Sequence, residues 1–188
     1  MPAEHAILGL LAESDPGAHG YDLARHFAPE EPLGAIVRLE PGMLYHHLKK
    51  LDKAGWVSAT VEQQGVRPPR QVYQLTPEGR IELDRWLADP VGRTREIRLE
   101  FLVKLFFAQR LHPDLAGELV AHQRETLERN LTSLKAQQLS MAAGGDADDR
   151  DRSFSIDVLA LRMAQTEAAL AWLDNLLAGE SGRKAECS

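Results

Sequence analysis

Cysteine is nearly missing from this chain of 188 residues: the single one, Cys187, stands second from the end. It cannot form an intrachain disulfide, and one thiol builds no metal cluster. A reducing, cytoplasmic setting is therefore expected. Aromatic residues are also sparse, with five Phe, three Trp and three Tyr. The core must then rest on Leu, Ile, Val and Ala, which suits packed helices. No apolar run approaches the roughly 20 residues that a membrane helix needs. The start, Met-Pro-Ala-Glu-His-Ala-Ile-Leu, has neither the basic flank nor the cleavage site of a secretory signal. No membrane partner is expected.

Catalytic signatures are missing too. There is no phosphate loop, no Gly-x-Ser-x-Gly, no His-Glu-x-x-His and no cysteine beside an obvious base. The chain is expected not to be an enzyme and to need no cofactor. Its seven histidines (His5, His19, His26, His46, His47, His112 and His122) raise the question of a metal. No two of them have the i, i+4 spacing of a shared helical site, and the adjacent His46 and His47 point about 100° apart on a helix. No metal site is expected.

What is present is a local excess of positive charge inside an acidic molecule. The formal net charge is -6. From Pro41 to Thr76, however, Lys49, Lys50, Lys53, Arg67 and Arg70 face only Asp52 and Glu62, a local balance of +3. Nucleic acid reads local charge, not the sum over the chain. The acid collects elsewhere, notably in 146–151.

The periodicities around that segment define elements. His5–Glu13 is apolar on most sides and predicts a buried helix. Asp15-Pro16-Gly17 is a turn. Gly20–Phe27 predicts a second short helix, with Tyr21, Leu23, Ala24 and Phe27 as its apolar positions, ended by Pro29 and Pro32. Pro41–Ala54 predicts a third. Pro41 suits its first turn, and Gly55 suits its stop. Leu44, Leu48 and Leu51 share one face, leaving His46, Lys49, Lys50 and Lys53 opposite and Tyr45 at the flank. Val57, Ala59 and Val61 then alternate with polar residues, and Gln71–Leu75 forms a second strand. Between them lies a turn-rich tip with Arg67 and Arg70. Thr76-Pro77 opens a further helix to about Ala88.

Past this point the character changes. Asp89–Thr94 reads as a linker. Ile97–Arg110 is strongly apolar, Pro113 opens a long helix to about Met141, and Ser155–Leu177 predicts the last helix, after an acidic, glycine-containing loop. The expected architecture is mainly α. An N-terminal winged helix-turn-helix (three helices plus a β-hairpin wing) occupies residues 1–88, a linker 89–96, an all-helical dimerisation domain 97–180 and a frayed tail 181–188.

Helix, helix, helix, hairpin, helix is the order of a winged helix-turn-helix. Its third helix enters the major groove of double-stranded DNA, where base edges are distinguishable. An arginine-bearing hairpin tip reaches the backbone or the adjoining minor groove. The candidate DNA-binding residues are Gly42, Tyr45, His46, Lys49, Lys50, Lys53, Arg67 and Arg70. The competing reading is a winged-helix module that binds protein and not DNA. Salt-sensitive binding to DNA separates the two.

Four sequence blocks add a resemblance. Ala6-Ile7-Leu8-Gly9-Leu10-Leu11 and His19-Gly20-Tyr21-Asp22-Leu23 come first. Pro41-Gly42-Met43-Leu44-Tyr45-His46-His47-Leu48 follows, with Leu51 and Gly55, and then Pro69–Gly79. In this order and spacing the chain resembles the PadR family of bacterial transcription regulators. Glu100–Leu105 is a looser match, and the length resembles the subfamily with the larger helical C-terminal domain. The resemblance implies a homodimer that represses a promoter and releases it when a small-molecule effector binds. The family often carries Ser or Thr where Gly42 and Met43 stand, so a hydroxyl contact to phosphate is missing here. Tyr21 and Tyr73 match family positions and are expected mainly to pack. Dimer contacts are expected along Leu127, Leu131, Leu134, Ile156, Leu159, Met163, Leu170, Leu173 and Leu177. Phe101, Phe106 and Trp172 are the candidates for an effector pocket.

Overall fold

The computed structural model describes residues 2–14, 16–62, 70–143 and 149–186. They form two compact units. One comprises residues 1–89 and 98–113, the other 90–97 and 114–188.

The first unit is built around α1 (Pro2–Glu13), whose residues Glu4 to Leu11 are all buried. A helix apolar on most sides has no solvent face to offer, so it becomes the centre on which the others pack. A two-residue strand, β1 (Ala18–His19), leads into α2 (Gly20–Arg25), α3 (Pro32–Ile36) and α4 (Pro41–Lys53). The hairpin follows, β2 (Val57–Glu62) and β3 (Arg70–Leu75), and then α5 (Pro77–Ala88). The strands pair antiparallel in the order β1-β3-β2, with Val57 opposite Leu75 and Glu62 opposite Arg70. Of the alternating set in β2 only Val57 is buried; Ala59 and Val61 are exposed, because the hairpin extends away from the helices. The fold is thus the expected winged helix-turn-helix, enlarged by α3 and β1.

A single 3₁₀ turn (Thr94–Glu96) and a π turn (Ile97–Phe101) lead into α6 (Leu102–Leu111). This helix packs against α1, α3 and α5, and Val103 and Phe107 lie in the same core as Leu8, Leu48 and Leu83. By packing, α6 belongs to the first unit, on the other side of the break that the linker marks in sequence. Lys104 shows why. Its ammonium is buried, donates to the carbonyl of Trp86 and, at 2.7 Å, to that of Asp89, and lies 4.4 Å from the Trp86 ring centroid. It thereby fills carbonyls at the end of α5 that the helix leaves unpaired. Burial pushes its pKa down to about 8, against the pull of Glu100 and Asp89.

The second unit holds the long helices α7 (Pro113–Ala143) and α8 (Asp149–Glu186). Leu119, Val120, Leu127, Leu159 and Leu173 are buried. Arg124 pairs with Asp174 at 2.6 Å across the two helices. The segment expected to be a linker is tied down along α7 and α8. The buried amide of Gln123 accepts from Val91 N at 2.7 Å and donates to Val91 O at 3.0 Å. Asn130 donates to Gly92 O at 2.9 Å, and the Thr94 and Thr166 hydroxyls meet at 2.8 Å.

Candidate nucleic-acid interface

The geometry of α4 decides which of its cations are available. Pro41 occupies the first turn after an extended Glu40. At the other end Gly55 adopts φ +77°, a conformation that glycine alone enters cheaply. Gly55 N–H then reaches Asp52 O, and Trp56 N–H reaches Leu51 O, both at 3.0 Å. These are the paired bonds of a Schellman stop. Thr76 fixes this stop to the next helix. Its hydroxyl donates to Gly55 O at 2.7 Å and accepts from Gly79 N at 3.0 Å as the N-cap of α5.

Leu44, His47, Leu48 and Leu51 form the buried face of α4. The sequence weighed His47 only as a metal ligand and did not place it on this face. Its Nδ1 lies 3.2 Å from the Glu4 carboxylate, which also accepts from Lys50 Nζ at 2.6 Å. Burial pushes the Glu4 carboxyl up, but its bonds to Lys50 and His47 outweigh this and hold it below the usual range. Lys50, read as one of the free cations, is therefore largely neutralised, because a buried acid on α1 lies within reach of its ammonium. A hydrophobic run such as Pro2–Leu11 gives little warning that its one early carboxylate will be buried and will take a cation from another helix.

The free face of α4 carries Gly42, Met43, Tyr45, His46, Lys49 and Lys53, all exposed. No atom lies within 4 Å of where a Gly42 side chain would begin. Tyr45 is 48% exposed, and its ring lies over the start of α2, where a Cβ on Gly20 would come within 2.6 Å of it. Gly20 thus gives Tyr45 its seat. Tyr73 is buried, as expected of a packing residue, but Tyr21 is 70% exposed. The six-residue α2 turns Gly20 and Leu23 inward, which points Tyr21 to solvent. On the hairpin, Arg70 is exposed at the first position of β3. Arg67 lies outside the described residues. The structure therefore brings His46, Lys49, Lys53 and Arg70 to exposed positions on the helix and hairpin of one unit.

Residues 7–85 match the Transcriptional regulator PadR-like family, and residues 97–179 match the Virulence activator alpha C-term family. The chain carries a PadR-like family domain over residues 7–85. Along 93% of its length it is 28% identical to the negative transcriptional regulator PadR of Bacillus subtilis, covering 95% of that protein. The crystal structure of the same regulator with operator DNA aligns at 26% identity, 93% of this chain, 97% of that one and a TM-score of 0.45. Its structure with p-coumaric acid aligns at 26% identity, 94% of each chain and a TM-score of 0.39. The PadR-like domain and the regulator aligned along most of the chain make it a DNA-binding transcription regulator and not an enzyme. No helix among the described residues is long and apolar enough to cross a membrane.

The residues expected at a dimer contact divide in two. Leu127, Leu159 and Leu173 are buried within the chain itself. Leu131, Leu134, Ile156, Met163, Leu170 and Leu177 are half-buried. Leu139, Phe154 and Leu161 are exposed and were not foreseen. Of the aromatic residues expected at a pocket, Phe101 is fully buried. Phe106 stands edge-on to Phe107 with Arg110 over its ring. Trp172, in the second unit, is half-buried. None of the three lines a cavity among those described.

Proposed function

We propose that this regulator is a homodimeric repressor that reads a pseudo-palindromic promoter site with α4 and the hairpin, and that a small molecule releases it. The observation that carries the DNA surface is the free face of α4. Lys49, Lys53, His46 and Tyr45 stand on it without a carboxylate partner among the described residues, while the other face is closed by leucines. Arg70, with Arg67 in the hairpin tip, adds the backbone or minor-groove contact. Lys50 contributes less, since Glu4 holds it.

Repression is supported by the name of the Bacillus subtilis relative, a negative regulator aligned over nearly its whole length. That relative's structure with p-coumaric acid supports an effector. Dimerisation is supported by the exposed and half-buried apolar residues of α7 and α8, and by the gain in affinity that two groove helices give over one. The division into a DNA-binding part up to residue 88 and a dimer-forming part beyond 97 is retained for function, although α6 packs with the first.

The test is a footprint on the DNA upstream of the protein's own gene. A repressor dimer protects two half-sites about one helical turn apart. Protection of a single site, or of none at any salt concentration, sinks the reading; the latter result favours a protein-binding module.

A further inference from the structure

The first turn of α4 differs from the rest of its free face. Pro41, Gly42 and Met43 carry neither a charge nor a hydrogen-bonding side chain, and His46 and the lysines begin a turn later. Met43 is nevertheless 49% exposed, although a side chain of its size and polarity is ordinarily buried. Lys50, seven residues on and so on the same side of the helix, is held by Glu4. This edge of α4 therefore presents an apolar side chain and little available charge. Its side chains suit apolar surface and not phosphate.

Gly42 points the same way. Glycine inside a helix is less stable than alanine, and it is used where a turn or a close approach needs it. Neither need arises within the fold. The φ of Gly42 is not in the left-handed region, and no atom lies within 4 Å of where its Cβ would stand. Gly20, by contrast, has the Tyr45 ring within 2.6 Å of that place. A bare backbone beside open solvent, on the face that carries Lys49 and Lys53, fits the close approach of another molecule.

The residues at the N-terminal end of a recognition helix are those that meet base edges. Among the features of the major groove, the C5-methyl of thymine is the apolar one. We propose that Met43 is a specificity-determining residue that closes on a thymine C5-methyl in each half-site, while Gly42 lets the first turn of α4 come against the DNA. This rests on the function proposed above, in which α4 reads the groove. The thioether is flexible and polarisable, so it follows the methyl group and removes it from water. Cytosine in the same place presents an amino donor and no methyl, and is disfavoured.

The probe is the duplex from the protein's own upstream region, prepared once with thymine and once with uracil in its place. Uracil lacks only the methyl and keeps every hydrogen-bonding group. The full chain prefers the thymine duplex by at least about fourfold for each half-site, the effect of one apolar carbon removed from water. Met43→Ala loses about that factor, with melting temperature unchanged, and Met43→Leu keeps it. Lys49→Ala weakens both duplexes and leaves their ratio as it was. Gly42→Ala weakens both without loss of melting temperature. Equal affinity of the wild type for the two duplexes, a preference unmoved in Met43→Ala, or one lost equally in Lys49→Ala overturns the assignment of Met43, and salt-sensitive binding to either duplex would leave the DNA-binding function standing. Gly42→Ala with wild-type affinity overturns the close approach. A wild type that binds neither duplex at any salt concentration overturns the function and the assignment together.

Discussion

Single residues show where charge in the sequence differs from charge available at the surface. Lys49 and Lys50 are neighbours of one type, yet Lys50 is tied to the buried Glu4 and Lys49 is not. Nothing local distinguishes them; the difference lies 46 positions away on another helix. Lys104 is the reverse case, a cation with no access to solvent. It survives because two backbone carbonyls and the Trp86 ring receive it. Its pKa of about 8 lies below the ordinary 10.5. Between those values the unfolded chain holds the proton and the folded chain releases it, so folding stability rises with pH in that window. Urea melts of the wild type and Lys104→Met at pH 7 and pH 9.5 check this. The stability difference between them moves in favour of the wild type at the higher pH; a constant difference, or one moving the other way, contradicts the buried charge.

Among elements, those with a full period or a strong terminator were legible. The leucine face of α4, its stop at Gly55 and the Thr76-Pro77 start of α5 all follow from chemistry within a few residues. The five-residue α3 and the two-residue β1 were not. Neither is long enough to show a period, and β1 exists only because β3 offers it an edge. The strong apolar run of α6 was legible as a helix but not as a member of the first unit, since an apolar run reads the same whichever core it serves. One element joint carries a prediction. Thr76 serves α4 and α5 together, as acceptor for Gly79 N and donor to Gly55 O. Thr76→Val keeps the shape and removes both bonds. Loss of an N-cap costs about 1 kcal/mol, up to about 2. Chemical denaturation should show a loss of that size, together with weaker DNA binding through a displaced α4. Unchanged stability would mean the cap is idle.

At the scale of the whole molecule, the change of character past residue 89 was legible in the sequence, but not which leucines are free. A stripe at helical spacing does not say whether its partner is the same chain or another copy. Leu127, Leu159 and Leu173 are consumed inside the chain; Leu139 (72% exposed) and Phe154 (69% exposed) are not. A dimer made by α7 and α8 should therefore tolerate these two poorly as charges. Sedimentation equilibrium should find a dimer for the wild type and a monomer of unchanged helical content for Leu139→Lys/Phe154→Lys. A variant that still dimerises would move the contact elsewhere.

The central claim is that an acidic chain binds DNA through a few uncompensated cations on α4 and the hairpin. Fluorescence anisotropy of a labelled duplex from the protein's own upstream region, over a series of salt concentrations, tests it most directly. The wild type should lose affinity steeply as salt rises, because each phosphate neutralised releases counterions. Lys49→Ala and Arg70→Ala should each weaken binding and flatten the salt slope by about 1. Lys50→Ala should change the slope less, since its charge is already shared with Glu4. Lys49→Ala and Arg70→Ala that both bind with the affinity and salt slope of the wild type would contradict the account.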